Sequence, residues 1–191
     1  QTCALPICLD FYDRDHDSDA VITDNFYGMY KLVNHLISKG HKKIAYVGTL
    51  KSTDSITDRY MGYSKAMLEH DLKIPEDYVI DDRPLSDGGV DTENFNCRLP
   101  KDMPTAFACN CDITAVLLIK QLRGLGYRIP EDISVIGFDN YIYPGTLDIG
   151  VTSYEVDLKE MARETINNLL KKIRGENYKH GVTVVEGRII Y

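Results

Sequence analysis

The chain has 191 residues, of which 43% are hydrophobic and 27% are charged, and its formal net charge is −7 at pH 7. These proportions are typical of a globular protein and argue against a disordered chain. Apolar runs such as ValLeuLeuIle at 116–119 are far shorter than the roughly 20 residues that cross a bilayer, which argues against a membrane span. The acidic balance argues against a nucleic-acid surface on this segment, because such a surface needs clustered Lys and Arg.

Short β-rich runs alternate with helical periodicities along the whole chain. Strands are predicted at about 5–10, 44–48, 78–80, 105–109 and 133–138, with an extended piece at 150–154 and a last β-run over 182–190. Helices are predicted over about 56–70 and near 91–97. Two more helices begin at polar caps: one runs from Asp24-Asn25 to Gly40, and the other runs from Asp112 through Leu122. A last helix runs from Asp157 to Arg174, and Gly175 ends it. Strands joined by crossovers of helical length predict an α/β fold, a three-layer sandwich with a parallel sheet covered on both faces.

Polar and aromatic side chains follow four of the predicted strands. In open parallel sheets, ligands bind beyond the carboxyl ends of the strands. The residues predicted to bind a ligand there are Asp10, Phe11, Arg59, Asn110, Asp112, Asp139 and Tyr141. Carboxylates and a guanidinium bond neighbouring hydroxyls, and aromatic rings cover an apolar face, so the set suits a sugar or polyol. The alternative for each single Asp is a helix cap or a turn former.

Motifs for catalysis are absent from the sequence. It contains no phosphate loop, no dinucleotide-binding glycine motif, no zinc-protease helix motif and no nucleophile elbow. The five cysteines, Cys3, Cys8, Cys97, Cys109 and Cys111, have no regular spacing, which suits a reducing cytoplasm. The pair at 109 and 111 lacks a second Cys/His pair at zinc spacing. The sequence therefore predicts a binding protein without catalytic residues, metal or cofactor.

Four segments, taken in order, resemble the LacI/GalR family of transcriptional regulators. They are GlyHisLysLysIleAlaTyrValGly at 40–48, ArgTyrMetGlyTyr at 59–63, ProThrAlaPheAlaCysAsnCysAsp at 104–112 and IleProGluAspIleSerValIleGlyPheAspAsn at 129–140. The resemblance covers nearly the whole chain, and the last segment is the most specific. The family usually has AsnAsp where this chain has Cys111-Asp112, which leaves the identity of the sugar open.

The resemblance implies a periplasmic-binding-protein-like core whose two lobes close on a small effector. It also implies a homodimer in the cytoplasm that binds operator DNA through an N-terminal helix-turn-helix domain, under allosteric control by the effector. By the family pattern, the effector-contact positions are Asp10, Arg59, Asp112 and Asp139.

We expect this chain to begin within the effector domain, without the helix-turn-helix, and to hold one complete lobe and part of a second. Residues 1–21 and 151–175 would be a remnant of the N-terminal lobe, and residues 22–150 and 182–191 the C-terminal lobe. Three alternatives remain open: a sugar-binding receptor of a transport system, a sugar-modifying α/β enzyme, and a binding fold that has lost its ligand.

Overall fold

The computed structural model describes residues 6–13, 18–84, 89–141 and 150–191. The chain forms two compact units, unit 1 (Gln1–Asp24 and Val156–Gly187) and unit 2 (Asn25–Glu155 and Arg188–Tyr191). In chain order the elements are β1 (Ile7–Leu9), β2 (Asp19–Thr23), α1 (Asn25–Ser38), β3 (Ile44–Val47), α2 (Asp54–Glu69), a 3-10 turn (Glu76–Tyr78), β4 (Val79–Ile80), β5 (Ala106–Cys109), α3 (Asp112–Gly124), β6 (Ser134–Ile136), β7 (Ser153–Glu155), α4 (Leu158–Arg174), β8 (Val182–Val185) and β9 (Arg188–Ile190).

Unit 2 contains a parallel sheet with the strand order β4-β3-β5-β6 and helices on both faces. Side chains of β3 alternate between the faces, as they do in any strand. Tyr46 points towards α2, where its hydroxyl donates to the main-chain oxygen of Ile56 at 2.7 Å. Ala45 and Val47 point to the other face and belong to the same buried cluster as Leu118 of α3. This arrangement is the predicted three-layer sandwich.

Unit 1 contains a three-stranded parallel sheet with the order β1-β2-β8, and α4 packs against it. The predicted ends of α4 are confirmed. The Asp157 side chain accepts a hydrogen bond from the Glu160 amide at 2.9 Å and caps the first turn. Gly175 ends the helix in the left-handed conformation, at φ 65°, which glycine adopts without steric cost.

The predicted β-run over 182–190 is two strands in different units. β8 pairs in parallel with β2, a strand that the sequence prediction missed, and β9 pairs antiparallel with β7. The two units therefore depart from the expected lobe boundaries in three places, and the first is residues 22–24, which lie in unit 1 with the end of β2. Residues 182–187 lie in unit 1 because β8 extends the unit 1 sheet. Residues 151–155 lie in unit 2, where Thr152 also bridges to Ile136.

The helix predicted near 91–97 does not form. The carboxylate of Asp91 accepts hydrogen bonds from the amides of Glu93 at 3.0 Å and Asn94 at 2.9 Å, as it would at a helix start. The chain then continues as bends and irregular structure up to residue 105. Asp side chains favour such isolated turns as readily as helix caps, so the local signal could not distinguish the two outcomes.

Candidate functional site

A continuous polar network lies at the carboxyl edge of the unit 2 sheet. Parallel strands end on the same edge, so the segments that follow β3, β4, β5 and β6 meet there. Hydrogen bonds and one ion pair connect a residue from each segment, in the order Thr49, Asp82, Asn110 and Asp139, with Arg59 of α2 between the last two. One side chain from a helix therefore joins the ends of β5 and β6.

Arg59 is the centre of this network and is only 5% exposed. Its Nε donates to Asn25 Oδ1 at 2.8 Å, and its Nη1 donates to the main-chain oxygen of Asn110 at 2.6 Å. Its Nη2 lies 3.1 Å from Asp139 Oδ1, and the guanidinium stacks 3.9 Å above the ring of Phe138. Two of the five N–H donors of the guanidinium therefore form hydrogen bonds, and the contact with Asp139 is an ion pair.

The backbone after β6 turns in an unusual conformation that directs Asp139 onto Arg59. Asp139 and Asn140 both have positive φ, 99° and 50°. Such values are uncommon outside glycine and concentrate at functional sites. The turn is held from β7, because the Asn140 amide donates to Ser153 Oγ at 3.1 Å and its side chain donates to Glu155 Oε1 at 3.0 Å.

Asp112 does not cap α3, as the sequence prediction had it, but accepts hydrogen bonds across the site. The cap position of α3 is Cys111, without a side-chain cap bond. The two carboxylate oxygens of Asp112 instead accept from Ser153 Oγ at 2.7 Å and from the Tyr141 amide at 3.0 Å. A side chain at Gly137 would collide with this carboxylate, so the glycine leaves room for it.

The protonation of Asp112 follows from its surroundings. Burial raises the pKa of Asp112 to about 7, the Ser153 hydrogen bond works against this, and the nearby charge of Asp139 adds to it. A substantial fraction of Asp112 is therefore protonated at neutral pH.

Sequence reasoning missed the ion pair of Asp82 and Arg83, which follows β4. Asp82 is fully buried, and Arg83 Nη2 lies 2.7 Å from its Oδ2. The signal was present in the sequence, since Asp81-Asp82-Arg83 directly follows the predicted strand 78–80. Applying the strand-end rule to this strand as well would have found the pair.

Five of the seven predicted ligand residues lie at this edge of unit 2: Arg59, Asn110, Asp112, Asp139 and Tyr141. The Tyr141 side chain is 56% exposed, while its amide is bonded to Asp112. Asp10 and Phe11 belong to unit 1, where they follow β1. Asp10 has φ 64°, and Phe11 is 58% exposed.

The cysteines Cys8, Cys97, Cys109 and Cys111 are buried free thiols, and Cys3 lies outside the described residues. In the ranges that the structure describes, no three His, Cys, Asp or Glu side chains come together as metal ligands would. None of the described helices is both long and apolar enough to cross a membrane.

Residues 33–191 match the family model of the periplasmic binding protein-like domain. The HTH-type transcriptional repressor PurR of Glaesserella parasuis serovar 5 is 31% identical over 172 residues, which are 90% of this chain and 50% of that repressor. The chain therefore spans about half the length of the curated relatives that it matches.

Solved structures with the same fold cover nearly all of the chain. Transcription regulator CcpA of Lactococcus lactis has a TM-score of 0.77 at 26% identity, over 97% of this chain and 67% of that one. A periplasmic binding protein/LacI transcriptional regulator from Alkaliphilus metalliredigens QYMF, complexed with D-xylulofuranose, has a TM-score of 0.82 at 23% identity, over 97% of this chain and 68% of that one. The predicted fold class is confirmed.

Proposed function

The chain belongs to the periplasmic-binding-protein-like domain family as an effector-binding domain of the LacI/GalR type, and we propose that it senses a small sugar-like effector for a DNA-binding transcriptional regulator. It acts by binding the effector between two lobes and not by catalysis, and it uses no cofactor. The curated relatives are repressors, which supports this proposal.

The arrangement around Arg59 is the observation that carries the proposal. The guanidinium is fixed by hydrogen bonds to Asn25 and Asn110 and by the ion pair with Asp139. Preorganised groups bind a ligand with a smaller loss of side-chain entropy than mobile groups do. The Asp139 side chain is 28% exposed and lies beside this guanidinium. A donor next to an acceptor matches two neighbouring hydroxyls of a sugar.

The charges at this edge favour an uncharged ligand. The Arg59 guanidinium faces the carboxylate of Asp139, and the Arg83 guanidinium faces that of Asp82. Each positive charge is thus compensated within the protein. In this proposal Tyr141 supplies an aromatic surface to the ligand, and Asp10 and Phe11 contribute from the other lobe.

Regulation in this proposal is allosteric. The effector stabilises one arrangement of the lobes, and in a cytoplasmic homodimer this changes how the N-terminal domains meet operator DNA. A coupling of about 1–3 kcal/mol changes operator affinity roughly 5- to 150-fold.

The test is calorimetric titration of the full-length protein and its Arg59→Ala variant with D-xylulose, D-ribose, D-glucose and D-galactose. Loss of charge-assisted hydrogen bonds should weaken binding by about 1.5–3 kcal/mol, roughly 10- to 150-fold. Arg128→Ala is the matched control, because Arg128 forms an exposed ion pair with Asp132 away from the site. Equal affinities for wild type and Arg59→Ala would remove Arg59 from the site.

A sugar-binding receptor of a transport system is the second candidate, since the D-xylulofuranose-bound neighbour is described as a periplasmic binding protein/LacI transcriptional regulator. The coding sequence upstream of Gln1 separates the two. A helix-turn-helix there supports the regulator, and a secretion signal there supports the receptor.

A further inference from the structure

Asp82 is a fully buried carboxylate that collects hydrogen bonds from several chain segments. Its donors come from the end of β3, from the neighbouring residue, from the end of β5 and from α3. They are the Thr49 amide at 3.0 Å, Arg83 Nε at 3.0 Å, Arg83 Nη2 at 2.7 Å, Asn110 Nδ2 at 2.7 Å and Thr114 Oγ1 at 2.7 Å.

This carboxylate is ionised at neutral pH in spite of its burial. Burial alone would raise the pKa of Asp82, but the hydrogen bonds from Arg83 and Thr114 and the Arg83 charge outweigh it, and the pKa lies below its usual range. A buried charge is costly unless it is paired and hydrogen-bonded, and here both conditions are met. The negative charge therefore holds its donors strongly.

Asn110 is the donor that connects Asp82 to Arg59. Its Nδ2 donates to Asp82 and also to the Val47 main-chain oxygen at 3.0 Å, while its Oδ1 accepts from Arg83 Nη2 at 3.1 Å. The side chain is thus held on every polar atom, at 1% exposure. The main-chain oxygen of the same residue accepts the 2.6 Å hydrogen bond from Arg59 Nη1.

We propose that Asp82 is a positioning residue of the effector site, whose carboxylate holds Asn110 so that the Asn110 main-chain oxygen receives the Arg59 guanidinium. Asp82 itself touches no ligand. The inference rests on the proposed function only in treating Arg59 as an effector-binding group. It adds a residue that affects effector affinity through Asn110 and Arg59, without contacting the effector.

The other two partners of Arg59, Asn25 through a hydrogen bond and Asp139 through an ion pair, are held independently of Asp82. Asn25 begins α1, and Asp139 lies on the turn that is bonded to β7. Loss of the Asp82 charge should therefore loosen one side of the guanidinium and leave the other two contacts in place. A residue that only stabilised the fold would lower the free energy of unfolding without selectively freeing Arg59.

The experiment measures hydrogen exchange of the Arg59 guanidinium protons by NMR of full-length protein labelled with 15N-arginine, with the signals assigned from an Arg59→Lys variant. Asp82→Asn keeps the shape and removes the charge. Loss of one charge-assisted hydrogen bond should speed exchange about tenfold.

Asp91→Asn is the matched control, because Asp91 lies in the same connection but bonds only within its own turn among the described residues. It should leave exchange within about twofold of wild type.

The double variant Asp82→Asn/Arg83→Met guards against misfolding of the single variant, since it leaves no unpaired buried guanidinium. Faster Arg59 exchange in either folded variant supports the proposal. Unchanged exchange in every folded variant overturns it.

This failure is distinct from failure of the proposed function. If Arg59→Ala binds sugars as wild type does while Asp82→Asn still speeds Arg59 exchange, the positioning stands and the effector site is elsewhere. If only the Asp82 result fails, the proposed function is untouched.

Discussion

Units 1 and 2 use helices of similar length in different ways. In unit 2, α3 has 13 residues and buries eight of them. In unit 1, α4 has 17 residues and buries only Met161. Five large apolar side chains of α4 are more than 40% exposed: Leu158, Ile166, Leu169, Leu170 and Ile173. The comparison shows that an apolar helical stripe does not by itself produce a core, because burial needs a second surface.

The buried hydrophobic clusters are also larger in unit 2 than in unit 1. Among the described residues, a cluster in unit 2 contains thirteen buried members, whereas each of two clusters in unit 1 contains three. Hydrophobic stabilisation scales with the apolar area removed from water. We therefore expect most of the free energy of folding to come from unit 2, and the following changes test that expectation.

Phe107→Ala should have the largest effect. Phe107 is fully buried on β5, and deletion of a buried Phe side chain costs about 3–5 kcal/mol of unfolding free energy. Ile173→Ala on the exposed face of α4 should cost less than about 0.5 kcal/mol. Urea denaturation followed by far-UV circular dichroism measures both, since the chain has no Trp. Equal losses for the two variants would contradict the division of stability between the units.

Gly62→Ala tests how closely the helices of unit 2 pack. A side-chain carbon at Gly62 of α2 would lie 2.1 Å from the main-chain oxygen of Phe26 in α1, and backbone cannot move aside cheaply. Such overpacking should cost about 1–3 kcal/mol. Gly124→Ala at the end of α3 is the control, because nothing lies within 4 Å of the added carbon. There the thermal midpoint should stay level or rise. A stable Gly62→Ala variant would mean that α1 and α2 pack more loosely.

Local signals predicted most of the fold, and they also predicted residues that the structure brings together at one edge of the unit 2 sheet. The periodicity of apolar residues and the Asp157 and Gly175 end signals depend only on neighbouring residues, so they could be found in the sequence. The strand-end rule likewise predicted that Arg59 and Asn110 lie at one edge of the sheet, because parallel strands end there.

Non-local features could not be predicted in this way. Residues 182–185 and 188–190 are similar β-rich runs, and only their pairing partners assign them to different units. Asp112 has the local sequence of a helix cap, but its actual partner Ser153 lies 41 residues away along the chain. The Asp82 interactions also join distant segments, although its position after a predicted strand was visible.

The dependence of stability on pH should differ between the units. In unit 2, burial raises the pKa of Asp112 to about 7. A carboxyl group whose folded pKa is raised contributes stability that is fully present below its unfolded pKa and is lost as the pH rises through 7. The stability of wild type relative to Asp112→Asn should therefore fall by about 2 kcal/mol between pH 5 and pH 8. Urea midpoints at both pH values measure the change. A difference that does not vary with pH would mean that Asp112 titrates as an ordinary carboxylate.

Asp19 of unit 1 should show the opposite pH dependence with a smaller effect. Burial alone would raise the pKa of Asp19, but hydrogen bonds from the Tyr178 hydroxyl at 2.5 Å, the Gly181 amide at 2.8 Å and Lys172 lower it. The stabilisation is therefore present above the unfolded pKa of about 4 and is lost as the pH falls through the lower folded pKa. Asp19→Asn should cost about 1 kcal/mol at pH 7, because it weakens charge-assisted hydrogen bonds that anchor the segment before β8.

The difference between wild type and Asp19→Asn should shrink as the pH falls below 4, since protonated Asp19 resembles Asn. Urea midpoints at pH 7 and pH 3 measure it, with Asp71→Asn as an exposed control in unit 2. Because Asp19 favours neutral pH and Asp112 favours acid, the two variants should move the pH of maximum stability in opposite directions. A shift in the same direction would show that one of the two carboxyl groups has been assigned the wrong protonation state.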